Sequence, residues 1–141
     1  DLNRDGLQDI VVGFEAVSET GDLVWYQQLS QKGGWEKHLI ARLTGPMSLG
    51  VADMDDDGDP DVIVGEHDLR NPEQARLLWF ENRNNGKSWL PRLIHQGDEH
   101  HDGALVVDLD GDGDQDVVSI GWGHHKVIVY ESVNALGAPS D

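Results

Sequence analysis

The chain has 141 residues, which is the size of one ordinary domain, and a formal net charge of −17. This acidity argues against binding to nucleic-acid phosphate or to an anionic membrane surface, and no apolar run approaches membrane-spanning length. The chain has no cysteine, which excludes disulfides and thiol catalysis.

A nine-residue acidic pattern, Asp-x-Asp/Asn-x-Asp-Gly-x-x-Asp, occurs three times in the chain. The copies begin at Asp1, Asp53 and Asp108, and each is followed by an aliphatic run that ends in glycine. Aromatic residues recur with the same period as the acidic motif: Val24-Trp25-Tyr26 matches Leu78-Trp79-Phe80. Agreement of acids, aromatics and aliphatics over about 50 residues indicates a repeat protein.

Short apolar runs within each unit predict antiparallel β-strands, since they are rich in β-branched residues and separated by Gly, Asn and Asp. The second unit predicts four strands, at 47–52, 61–65, 76–81 and 89–95. The acidic loop joins the first two strands, and Asn85-Gly86 predicts a tight hairpin between the last two. Four antiparallel strands in about 50 residues are the pattern of one β-propeller blade.

The strand pattern predicts an all-β fold, a single partial propeller over 1–141. Its repeat units and C-terminal tail are expected at approximately 1–46, 47–101, 102–131 and 132–141. The first unit lacks its first strand, and the third predicts strands at 102–107, 116–120 and 126–131. Ten strands make about two and a half blades, whereas closed propellers use roughly four to eight. We therefore expect the remaining blades in a longer parent chain, or self-association through open edges.

The acidic loops are predicted metal sites. Side-chain oxygens at positions 1, 3, 5 and 9, with a backbone carbonyl at position 7, suit Ca²⁺, which takes six to eight oxygen ligands. The carbonyl donors would be Leu7, Asp59 and Asp114. An EF-hand is excluded, because it requires Glu at position 12 and flanking helices. The first loop is predicted to be the weakest, because Asn3 replaces a carboxylate and Arg4 crowds it.

The motif, with its aliphatic strand and glycine, resembles the FG-GAP/VCBS repeats, which also form the calcium-binding blades of integrin α-subunit propellers. Its tryptophan segments look like bacterial secreted versions, and the resemblance covers 1–131. It implies up to three structural Ca²⁺ ions and an extracellular, periplasmic or cell-surface location. The implied side-chain ligands are Asp1, Asn3, Asp5 and Asp9 for one ion, Asp53, Asp55, Asp57 and Asp61 for a second, and Asp108, Asp110, Asp112 and Asp116 for a third.

Six of the seven histidines fall in or beside loops at the face opposite the acidic loops. This face predicts a Zn²⁺ site, which imidazole with carboxylate suits, or acid–base chemistry by histidine. It also fits a sugar platform, with Trp122 stacking on the sugar and Glu or Asp binding its hydroxyls. No strict metal-ligand spacing supports the first, so unrelated loop histidines remain the alternative. The residues of this possible ligand face are Glu66, His67, His100, His101, Trp122, His124 and His125.

The remaining aromatic residues are predicted to pack within or between blades rather than to bind a ligand. Trp25, Trp35, Trp79 and Trp89 recur at equivalent repeat positions, which is typical of structural packing. His38 lies on a predicted strand and is expected to pack there as well.

The sequence favours a non-catalytic, calcium-stabilised scaffold or binding module for protein or carbohydrate ligands. The first alternative is part of a secreted sugar-processing enzyme of the lyase or dehydratase type, which similar propellers suggest. Its candidate catalytic residues would be His101 and His125. The second alternative is a half-propeller that completes its ring by oligomerisation.

Overall fold

The computed structural model describes residues 1–121 and 123–133, which form ten strands in three antiparallel sheets. The first sheet contains β1 (Ile10–Gly13), β2 (Thr20–Gln28) and β3 (Trp35–Thr44). The second contains β4 (Pro46–Ala52), β5 (Asp61–Glu66), β6 (Arg76–Arg83) and β7 (Ser88–Gln96). The third contains β8 (Leu105–Val107), β9 (Asp116–Ile120) and β10 (Val127–Tyr130). One 3₁₀ turn, Pro72–Gln74, precedes β6. The prediction of all-β, partial-propeller sheets is confirmed.

Two strands of the third sheet are shorter than predicted. The first begins at Leu105 rather than at 102, because a turn occupies His101 and Asp102 and the ladder pairs only Leu105–Val107 with β9. The last spans Val127–Tyr130 rather than 126–131. The four strands of the second sheet lie within one or two residues of their predicted bounds.

The cores lie between consecutive sheets, as the alternation of side chains along a strand requires. On β5, Val62 and Val64 pack toward the first sheet in a cluster with Leu23 and Trp25, whereas Ile63 points to the other side. Ile63 belongs to a second cluster, which includes Ala104 and Val117 of the third unit. The second sheet is therefore apolar on both faces, because a sheet covers each of them.

The hairpin predicted at Asn85-Gly86 joins β6 to β7, with positive φ at Asn84, Asn85 and Gly86. Buried Asn82 holds this turn, since its side-chain oxygen accepts the Gly86 N–H at 2.7 Å. The same side chain donates to two backbone carbonyls, that of Leu2 at 2.8 Å and that of Pro60 at 3.0 Å. Asn82 thus connects the β6–β7 hairpin to the first two acidic loops.

The tryptophans divide into packed and exposed positions. Trp25 is buried and stacks on His38 with ring centroids 4.5 Å apart, which confirms packing for both residues. Trp89 packs against the same cluster. The packing prediction is wrong for Trp35, which is 47% exposed. Trp35 begins β3, an outer strand of the first sheet that pairs only with β2 among the described strands.

No helix among the described residues is long and apolar enough to cross a membrane.

Candidate metal-binding loops and the opposite loop cluster

The ninth-position aspartates attach each acidic loop to its own sheet in the same way. One carboxylate oxygen accepts the N–H of the second loop residue at 2.9–3.0 Å. The other oxygen accepts an N–H near or just beyond the end of β2, β6 or β10, at 2.7–3.0 Å. These residues are Asp9, Asp61 and Asp116. Each therefore closes its loop whether or not a cation is bound.

The second acidic loop brings three of its carboxylates close together. One oxygen from each of Asp53, Asp55 and Asp57 lies within 4.8 Å of the other two. Asp53 Oδ2 accepts the Gly58 N–H at 2.8 Å, but its buried Oδ1 has no hydrogen bond among the described residues. Burial, and next the Asp57 carboxylate, raise the pKa of Asp55. A cation that accepts carboxylate oxygens fits this arrangement.

The third loop gathers a similar set with a different membership. Oxygens of Asp108, Asp110 and Asp116 lie within 4.8 Å of one another. Asp112 is not a member of this group. Its carboxylate accepts the Asp114 N–H at 3.1 Å, and this bond lowers the pKa of Asp112. The donor set again fits a hard cation.

The carboxylates of the first loop accept hydrogen bonds from within the loop. The Asn3 side-chain amide donates to Asp5 Oδ2 at 2.8 Å, and this bond is the largest cause of the lowered pKa of Asp5. Arg4 points away from its own loop and places Nε 2.6 Å from Asp59 Oδ1 in the second loop. In the described part of the chain, the first loop contributes no group of three close carboxylates. The first loop therefore fits a cation less well than the other two.

The connections at the other end of the sheets bring two of the predicted histidines together. The His67 and His101 ring centroids are 4.0 Å apart, and His67 Nδ1 lies 2.6 Å from Glu15 Oε1. Buried Glu99 lies on the other side of His67, with Oε1 3.9 Å from His67 Nε2. Glu15 was missed as a candidate residue. A signal existed, because Glu15 follows Gly13 by the same two positions that separate His67 from Gly65.

Glu66 lies apart from this pair and has a structural partner. Both of its buried carboxylate oxygens accept hydrogen bonds from Arg76, at 2.6–3.1 Å, and one also accepts the Thr44 N–H at 3.0 Å. Glu66 therefore anchors the start of β6 to β5 and β3.

The remaining predicted histidines are separated. His100 is buried with Nδ1 2.8 Å from Ser119 Oγ, and burial lowers its pKa to about 4. His124 Nε2 lies 3.1 Å from the Glu99 carbonyl oxygen, and His125 is exposed. Trp122 lies outside the described residues.

Comparison with known proteins agrees with the sheets and loops. Residues 1–64 match the family model described as the FG-GAP-like repeat. The chain is 30% identical to human integrin alpha-6 over 146 residues, covering 94% of this chain and 12% of that protein. It is 40% identical to integrin alpha-6 of Gallus gallus over 127 residues, covering 82% of this chain and 12% of that protein. No solved structure matches the chain significantly.

Antiparallel sheets with acidic loops between their strands define a partial β-propeller. Residues 1–64 belong to the FG-GAP-like repeat family, and the chain is similar to the integrin alpha-6 proteins, of which it spans about an eighth of the length.

Proposed function

We propose that the chain is a calcium-stabilised propeller segment that serves as a scaffold or binding module. The buried Asp53 Oδ1, without a hydrogen bond beside two further carboxylates, carries this proposal. Bound Ca²⁺ would supply positive charge and bring these oxygens together. Asp53, Asp55 and Asp57 would hold it in the second loop, and Asp108, Asp110 and Asp116 in the third. Because the cation binds the folded loop, its binding energy would become folding energy.

The ligand surface would be the connections at the other end of the sheets, since loops vary while strands hold them in place. A protein or a carbohydrate is the proposed ligand class. An extracellular, periplasmic or cell-surface setting supports the calcium proposal, because weak Ca²⁺ sites fill there. Bacterial origin and catalysis by His101 and His125 stay predictions, and His125 is exposed rather than part of the His67–His101 pair.

Thermal unfolding with and without calcium tests the proposal. We expect about 1 mM Ca²⁺, the range of extracellular modules, to raise the melting temperature by several degrees over EDTA-treated protein. Asp55→Asn should reduce this shift, because it removes one loop carboxylate. Asp56→Asn is the matched control, since it makes the same charge change at an exposed position outside the cluster. Identical melting of the calcium-loaded and calcium-free proteins would refute the proposal.

A further inference from the structure

We propose that Glu15, His67 and His101 form a binding site for a divalent transition-metal ion such as Zn²⁺. The site is separate from the acidic loops, which lie at the other end of the antiparallel strands. One ligand atom from each of the three residues lies within 4.8 Å of the other two. Zn²⁺ binds its ligands at about 2.0–2.2 Å, so a single ion at the centre would draw the three atoms closer together.

The His67 side chain is built into this site rather than exposed beside it. It is 6% exposed, and its Nε2 is buried without a hydrogen bond in the described part of the chain. A buried polar atom without a partner costs free energy, so such atoms are uncommon in folded proteins. Glu15 Oε1 lies against Nδ1, so an ion bound at Nε2 would take the Glu15 carboxylate as a ligand once that carboxylate shifts toward it.

The backbone holds the two histidines in place. The His67 N–H donates to the Gly45 carbonyl at 2.9 Å, and the His67 carbonyl accepts the Ser18 N–H at 3.0 Å. The His101 carbonyl accepts the Ser48 hydroxyl at 2.7 Å. These bonds tie the β5–β6 connection to the β1–β2 and β3–β4 connections, and the β7–β8 connection to β4. An ion here would therefore link the first sheet, the second sheet and the connection to the third.

The donor set distinguishes this site from the acidic loops. Two imidazoles and a carboxylate suit Zn²⁺ and related transition metals, whereas Ca²⁺ takes oxygen ligands alone. Buried Glu99, at 3.9 Å from His67 Nε2, adds a second carboxylate beside the site. Two carboxylates would neutralise a divalent charge.

Metal binding in the presence of calcium tests the proposal. Metal-free protein is loaded with excess Ca²⁺, so that the acidic loops are occupied, and titrated with Zn²⁺ by calorimetry. We expect one equivalent of Zn²⁺ to bind. Its X-ray absorption spectrum should show imidazole nitrogen and carboxylate oxygen ligands. No binding, or a shell of oxygen alone, would overturn the site, and the calcium-dependent melting would be unaffected by that failure.

Variants assign the ligands. His67→Gln and His101→Gln should each weaken Zn²⁺ binding at least about tenfold, because each removes a ligand of the ion. His125→Gln is the matched control, since it removes an exposed histidine outside the cluster. Circular dichroism in calcium checks that each variant is folded, and the wild-type absorption spectrum decides if one is not. Equal binding by His67→Gln and the wild type, or equal loss in His125→Gln, would overturn the assignment.

Discussion

Asp61 shows how one residue of the motif stabilises the fold through its own hydrogen bonds. It is fully buried, and burial raises its pKa to about 6 although two backbone N–H groups donate to it. Spacing predicted Asp61 as a metal ligand. Spacing could not reveal its bond to Asn82, a residue on another strand more than twenty positions away. The hydrogen bonds indicate that part of its contribution to stability is independent of any cation.

We predict that Asp61→Asn destabilises the protein even in EDTA. The amide nitrogen cannot accept, so either the Met54 or the Asn82 N–H loses its partner in a buried position. The expected loss is about 1–3 kcal/mol of the free energy of unfolding. Urea denaturation in EDTA measures it, with exposed Asp56→Asn as the control. A variant as stable as the wild type in EDTA would show that Asp61 acts through the cation alone.

At the face opposite the acidic loops, some site residues could be predicted from the sequence and others could not. His67 and His101 were predicted together from their loops, because the strand order places those connections at one end. Glu66 was predicted with them, but its partner Arg76 could be identified only from the folded contacts. Glu15 lay in a loop without a histidine, so residue type alone did not select it.

The β6–β7 hairpin is the element that the sequence predicted most directly. Asn-Gly between two apolar runs favours a tight turn, and β6 and β7 pair as an antiparallel hairpin that closes at Arg83 and Ser88. The sequence did not show that this turn touches the neighbouring sheet. A side chain at Gly86 would place its Cβ 2.8 Å from the Trp25 ring. The turn is therefore part of the contact between the first and second sheets.

We predict that Gly86→Ala costs more stability than Gly33→Ala. Both glycines have positive φ, so both substitutions carry backbone strain of about 1–2 kcal/mol. Only Gly86 also faces a ring, whereas a Cβ at Gly33 meets nothing within 4 Å. Chemical denaturation of the two variants gives the difference. Equal losses would mean that the Trp25 contact relaxes without cost.

Glu81 on β6 provides a pH-dependent cross-strand interaction. It accepts from Arg92 and Arg83 at 2.7–2.9 Å, and the Arg92 bond is the main reason why its pKa lies below the ordinary value. A lowered folded-state pKa gives stability that is present above the unfolded-state pKa of about 4.3 and is lost as pH falls through the folded value.

We therefore expect Glu81→Gln to cost about 1–2 kcal/mol at pH 7, with a difference from the wild type that closes on acidification. Glu19→Gln is the control, because Glu19 pairs with Arg70 between two exposed side chains and should contribute little. Denaturation at several pH values measures both. A loss that does not change with pH would contradict the ion-pair explanation.

The three sheets of the molecule differ in how far neighbouring sheets bury their apolar residues. The second sheet lies between two cores, whereas the third carries apolar residues that no described residue covers. Val127 on β10 is 71% exposed and Leu105 on β8 is 62% exposed. Repeat spacing predicted three sheets and ten strands, because each unit repeats its own pattern. Exposure at Trp35 and Val127 depends on which sheets have a neighbour, a property that repeat spacing does not contain.

We expect the isolated chain to self-associate through β10, an outer strand of the third sheet among the described residues. Apolar side chains and unpaired backbone groups on an outer strand favour pairing with another strand. Val127→Lys should weaken self-association at least about tenfold, because a charge on an edge strand opposes pairing. Val133→Lys, an exposed position outside the strands, is the control. Sedimentation over a range of concentrations measures both, and a strictly monomeric wild type would refute the expectation.

Glu15 and His67 occupy one repeat position in two successive repeats, two residues after the glycines that pair with Leu23 and Leu77. Duplication of the blade would have copied this position at the end of a strand, and its side chain could then change without altering the strand pairing. New chemistry at this end of the fold would need substitutions at only a few aligned positions. A protein engineer could vary residues 15, 67 and 101 together and leave every acidic loop unchanged.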